Sequence, residues 1–192
     1  MKPQTEVRSS PPSLSRSLLQ GAIGFSITSL VVFSTVAFGE RWMYRNLGHG
    51  GAYLAWTVLF ILLGGIALGS LVVHKWNLPK FFLLFGIAFF AYAAGWVCAY
   101  FVLRNSAGEW IGSLAGSVLM ALVLAIGFRA MKTIAKLTLL LFVANSIGYF
   151  LGSALNESLG ARLGMLSWGV CYGLFLGAGI GAALYLLQLK YE

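Results

Sequence analysis

The sequence predicts an all-α, polytopic integral membrane protein built as a bundle of six transmembrane helices. Of its 192 residues, 59% are hydrophobic and only 9% are charged, whereas soluble domains carry roughly a quarter charged residues. Six apolar runs are long enough to cross a bilayer, which takes roughly 20 residues of helix. Only helices or closed barrels satisfy the backbone within lipid, and runs of this length favour helices.

The six predicted spans follow one another with short polar connections. They cover about residues 18–38, 51–73, 81–103, 111–128, 137–155 and 163–189. Residues 1–16 contain Pro, Ser and charged side chains, so we predict a flexible cytoplasmic tail there and a single six-helix transmembrane domain over residues 17–192. The first run lacks an A-x-A cleavage site and is therefore expected to remain as a span.

The distribution of basic residues predicts the orientation. Nine Lys and Arg residues fall on the side of the two termini, and four fall on the other side, namely Arg41, Arg45, Arg104 and Arg162. Basic residues are retained on the cytoplasmic face. The sequence therefore predicts a multi-pass membrane protein with both termini in the cytoplasm.

The predicted outward turns share an acidic residue, and this suggests three helical hairpins. Glu40, Glu109 and Glu157 each lie in one of these turns. Residues 106–127 and 158–179 also align without a gap, with glycine matching glycine at several positions. Membrane sequences of low complexity match by chance as well, so both a parallel hairpin repeat and a chance likeness stay open.

Glycine is frequent and regularly spaced in the predicted spans. The chain has 24 glycines, and those at four-residue intervals lie on one helix face, where small residues let helices approach closely in lipid. The predicted helix-packing residues are Gly108, Gly112, Gly116, Gly148, Gly152, Gly169, Gly173, Gly177 and Gly181. Either all of these glycines pack inside one bundle, or the stripe on the last span faces a partner chain.

One amide lies near the middle of the fifth predicted span. Asn145 and its neighbour Ser146 must face protein or water, because an unsatisfied amide in lipid is costly. Asn145 is either an interhelical hydrogen-bonding group or part of a solute site. In the second case, the candidate solute-binding residues are Asn145, Ser146, Trp96, Tyr149, Trp168 and Tyr172, because these four aromatic residues lie deeper than a boundary belt requires.

Catalytic and metal-binding patterns are not evident. The chain has no Asp, and its two histidines, His49 and His74, fall on opposite predicted faces. We therefore expect no enzyme activity, cofactor, metal or nucleic acid, and we expect partners to be the lipid bilayer and other transmembrane chains or a second copy. The leading hypothesis is a non-catalytic subunit or assembly protein of a larger membrane complex. The alternative is a small transporter or substrate-binding subunit for a neutral or aromatic solute.

The predicted orientation can be tested by cysteine labelling. In a background without Cys98 and Cys171, a membrane-impermeant maleimide added outside should modify cysteine placed at Ser106 or Ser158 but not at Thr133, because Thr133 lies in a basic, inward turn. Labelling of Thr133→Cys only after permeabilisation is the control. If that variant were labelled in sealed cells, the predicted orientation would be wrong.

Overall fold

The computed structural model describes residues 12–72 and 78–189, and the described chain is all-α. Its helices are α1 (Leu14–Gly69), α2 (Leu78–Leu103), α3 (Ser106–Gly127), a short 3-10 helix (Met131–Thr133), α4 (Ile134–Leu159) and α5 (Ala161–Gln188). By length and composition, α1 to α5 are all able to cross a membrane. The protein therefore has the architecture of a helical, multi-pass membrane protein.

The helix boundaries differ from the predicted spans in two places. Residues 14–16, predicted as part of the tail, form the first turn of α1, because the Ser13 hydroxyl accepts a hydrogen bond from the Arg16 backbone N–H and caps the helix. The tail predicted over residues 1–11 lies outside the described residues. The first predicted span and residues 51–69 of the second both fall within α1, since residues 39–47, predicted as a turn, continue the helix.

Gly48 interrupts α1 and divides it into an N-terminal segment (14–47) and a C-terminal segment (49–69). Its backbone has φ 67° and ψ 176°, a conformation open to glycine and strained for other residues. The two segments contact each other in antiparallel register. Gln20 Nε2 donates to the carbonyl of Ala67 over 3.4 Å, and the rings of Phe25 and Phe60 stack at 5.6 Å. The chain therefore reverses direction at Gly48.

The other neighbouring helices also pack antiparallel. Helix α2 lies along α3 and α4 along α5, while α5 also lies against the N-terminal segment of α1. At the start of α3, the Asn105 side chain accepts a hydrogen bond from the Gly108 N–H over 3.0 Å. Gly160, with φ 63°, joins α4 to α5. One end of the bundle therefore gathers the turns at Gly48, Asn105 and Gly160, and we call it the Gly48 end.

The glycine stripe of α5 lies against α1 at backbone distance. A Cβ added at Gly177 would overlap the carbonyl oxygen of Gly21, and one at Gly181 would overlap that of Ser17. Gly169 and Gly173 likewise lie against Ser29, and all four stripe glycines are buried. Of the two alternatives for this stripe, these contacts fit packing inside one bundle.

The remaining predicted packing glycines lie between neighbouring helices of the same chain. Gly108, Gly112 and Gly116 face α2, where a Cβ at Gly112 would stand 3.0 Å from the carbonyl oxygen of Trp96. Gly148 and Gly152 face α5. Close approach of this kind gives transmembrane helices van der Waals contact that lipid cannot replace.

A single methyl group should test the α1–α5 contact. We expect Gly177→Ala to lower the free energy of unfolding by about 1–3 kcal/mol, as overpacking commonly does, because the new Cβ meets a backbone carbonyl that cannot rotate away. Gly39→Ala is the matched control, since a Cβ there has no atom within 4 Å. Thermal unfolding in detergent measures both. Equal stability of the two variants would contradict the contact.

Candidate functional site

A buried hydrogen-bond network surrounds Asn145 in the middle of α4. The Tyr92 hydroxyl of α2 donates to Asn145 Oδ1 over 2.6 Å, and Asn145 Nδ2 donates to Ser113 Oγ of α3 over 2.8 Å. Ser113 and Ser146 share a further hydrogen bond of 2.8 Å. Asn145 is fully buried, so its amide is satisfied by protein groups. This is the geometry expected of an interhelical hydrogen-bonding residue.

The network extends to α5 through a pair of tyrosines, and its proton directions follow from the amide. An amide oxygen only accepts hydrogen bonds, so Tyr92 must use its proton on Asn145. The hydroxyls of Tyr92 and Tyr172 lie 2.8 Å apart, and Tyr172 therefore donates to Tyr92. The oxygen of Tyr172 keeps lone pairs as an acceptor but has no second proton to give.

A cavity of about 320 Å³ lies beside this network, in the half of the bundle toward the Gly48 end. Both segments of α1 line it, together with α2, α4 and α5. Most of the lining side chains are aromatic: Phe33, Tyr44, Tyr53, Trp56, Phe60, Phe89, Tyr92, Trp96, Tyr100, Tyr149, Trp168 and Tyr172. Aromatic walls of this kind bind organic molecules through large contact areas.

The structure brings together part of the predicted solute-binding set. Trp96, Tyr149, Trp168 and Tyr172 all line the cavity, and the rings of Trp96 and Trp168 each lie 5.4 Å from that of Tyr149. Asn145 and Ser146 are not among its lining residues. Asn145 is hydrogen-bonded to the lining residue Tyr92, so it holds part of the cavity wall in place without lining the cavity itself.

The sequence analysis missed several lining residues, most of all Tyr92. This residue joins the cavity to the network, since it lines the first and is a member of the second. A signal was available, because Phe89, Tyr92, Trp96 and Tyr100 recur at intervals of three and four residues along one face of α2. The N-terminal segment of α1 has the same spacing at Phe33, Val36, Glu40 and Tyr44.

Two indole N–H groups of the lining lack hydrogen-bond partners within the described part of the chain. They belong to Trp56 and Trp168, and both nitrogen atoms are buried. The Trp168 indole lies against Gly152, whereas Trp56 is 8% exposed and packs at right angles to Tyr53. Buried donors are normally paired.

The charge of the cavity is set by one carboxylate. Glu40 is the only charged side chain among the described lining residues, and it is exposed. A second carboxylate lies just behind the wall, where Glu109 Oε1 accepts a hydrogen bond of 3.1 Å from the Tyr149 hydroxyl. Within residues 12–72 and 78–189, no group of His, Cys, Asp or Glu could hold a metal ion. The site therefore offers aromatic surface, hydrogen-bond acceptors and negative charge.

Fold and cavity together define a class: helical, multi-pass membrane proteins with an internal aromatic cavity. Comparisons with protein-family models, with curated proteins and with solved structures give no match.

The contribution of the network can be measured by a double-mutant cycle. Asn145→Leu should lower the free energy of unfolding by about 1–2 kcal/mol, because it leaves the Tyr92 and Ser113 hydroxyls without their partner. Tyr92→Phe should also destabilise, and the double variant should lose less than the two losses added, since both changes remove the same hydrogen bond.

The control for this cycle is Asn46→Leu, because the Asn46 side chain is exposed and bonds only to the carbonyl of Trp42 in the preceding turn. Asn46→Leu should change the free energy of unfolding by no more than about 0.5 kcal/mol. Strict additivity of Asn145→Leu and Tyr92→Phe would contradict a shared bond.

Proposed function

We propose that this protein is a membrane-embedded, non-catalytic binding subunit for a small organic solute with an aromatic or apolar skeleton. The observation that carries this proposal is the cavity of about 320 Å³ walled mainly by aromatic side chains. This volume falls at the lower end of ligand pockets, roughly 300–1,000 Å³. The solute is therefore a small molecule of one or two rings.

The function that led in the sequence analysis, a subunit or assembly protein of a larger complex, drew its support from the glycine stripes, the missing soluble domain and the lack of charge within the spans. The four glycines of the α5 stripe lie against α1 of the same chain. The remaining packing glycines lie against α2 or α5. Since each predicted packing glycine has a neighbour within the chain, the stripes no longer favour an external partner over a solute.

The aromatic rings form a continuous wall suited to a flat solute. The ring of Phe33 lies 5.8 Å from that of Trp168 and 6.1 Å from that of Tyr172, and Phe60 lies 6.3 Å from Tyr172. Rings at these separations expose both faces and edges, and each aromatic pair contributes about 0.5–1.5 kcal/mol beyond its buried area.

The chain topology that we propose has six membrane crossings arranged as three hairpins. The interruption at Gly48 and the contacts between the two segments of α1 support a crossing by each segment. Antiparallel packing of α2 with α3, and of α4 with α5, supports the other two hairpins. With the basic residues inside, the Gly48 end faces outward, and the cavity receives its solute from the outer side.

Filling the cavity should abolish binding. Quinoline, a two-ring probe with one acceptor nitrogen, should bind the purified full chain in isothermal titration calorimetry. Ala93→Phe places a ring into the cavity, because Ala93 lies in its lining, and it should weaken quinoline binding at least about tenfold.

The neighbouring variant Ala94→Phe is the matched control, because Ala94 is exposed and does not line the cavity. It should bind quinoline as the unchanged chain does. Loss of binding in both variants, or in neither, would contradict the assignment of the site to this cavity. Failure of the unchanged chain to bind quinoline would contradict the proposed solute class.

A further inference from the structure

We propose that the solute carries a positive charge, so that the cavity is a site for a small organic ammonium cation. This inference rests on the proposed solute-binding function and adds the charge of the ligand to it. Three independent features of the cavity lead to it: the sign of its charge, the aromatic rings of its lining, and the use of its hydroxyl protons.

The only formal charge in the described lining is negative. Glu40 lies on the wall beside Tyr44 and interacts with its hydroxyl. No Lys, Arg or His occurs among the described lining residues. Because Glu40 is exposed, solvent screens its charge in part, but its sign still favours a cation over an anion.

Aromatic rings line the same cavity as Glu40. The ring of Trp56 meets Tyr44 at 5.8 Å and 73°, and it meets Tyr53 at 5.5 Å and 83°. Both contacts are edge-to-face, and all three rings line the cavity. Ring faces carry negative potential, and several of them around one point recognise alkylated ammonium groups.

The hydroxyl groups of the cavity are arranged as acceptors. Tyr92 donates to Asn145 and Tyr149 to Glu109, while the Thr57 hydroxyl donates to the carbonyl of Tyr53 over 2.8 Å. Tyr172 uses its proton on Tyr92. Because these protons are used within the protein, the four hydroxyl oxygens have only lone pairs left for a ligand. The two indole N–H groups are separate donors. These four hydroxyls can accept a hydrogen bond from an ammonium group but cannot donate one to an anion.

A matched pair of probes separates charge from shape. Benzyltrimethylammonium and neopentylbenzene have the same shape, with nitrogen in one replaced by carbon in the other. By calorimetry on the full chain in a maltoside detergent, the cation should bind about tenfold more tightly than the neutral probe. Glu40→Gln should lower the affinity for the cation about fivefold and leave the neutral probe unchanged. Glu157→Gln, an exposed change outside the cavity, should alter neither.

The outcomes distinguish this inference from the function on which it rests. Equal or tighter binding of neopentylbenzene, or no effect of Glu40→Gln on the cation, would overturn the cation site while the aromatic-solute site stands. Absence of binding by both probes and by quinoline would overturn both proposals.

Competition then identifies where the cation comes from. Displacement of benzyltrimethylammonium by choline indicates a water-soluble ammonium compound. Displacement by dihexanoylphosphatidylcholine and not by choline indicates a lipid headgroup. Either result supports a cation site, and displacement by neither contradicts it.

Discussion

The close approach of α5 to the N-terminal segment of α1 is the constraint on which the bundle depends. At Gly21 and Gly177 the two backbones touch, because neither residue has a side chain to separate them. Toward the Gly48 end the same two helices carry Phe33 and Trp168. The close approach continues there, since Phe33 lies against Gly169. The rings of Phe33 and Trp168 line the cavity, and α5, the most deeply buried of the described spans, meets α1 and α4.

The hydrogen-bond network and the cavity are parts of one arrangement. Tyr92 and Tyr172 contribute their rings to the cavity wall and their hydroxyls to the network. Asn145 fixes the position of Tyr92 without meeting the cavity itself. The amide joins helices, and by its hydrogen bond it holds the ring of Tyr92 in the cavity wall. Buried polar groups that are fully satisfied commonly specify one arrangement of the surrounding core.

Composition was sufficient for the class of fold, because long apolar runs admit few alternatives in lipid. Composition did not predict where the helices end. Hydropathy reports where lipid contact stops, whereas the helix continues through residues 39–47 until the backbone of Gly48 breaks it. Glu40 was accordingly read as a turn residue, although it lies on a helix and lines the cavity. Four aromatic lining residues were predicted from their depth. Tyr92 was missed although its spacing along α2 was visible in the sequence, because its hydrogen bond to Asn145 joins two helices that are far apart in the chain.

The extension of α1 beyond its apolar run bears on how a solute arrives. Residues 39–47 add nine positions of helix after residue 38. At 1.5 Å per residue they lengthen the helix by about 14 Å. Glu40 and Tyr44 belong to this extension, beyond the apolar run that ends at residue 38. The cavity lining therefore includes an exposed carboxylate, and under the proposed function a dissolved solute would meet this charge at the Gly48 end.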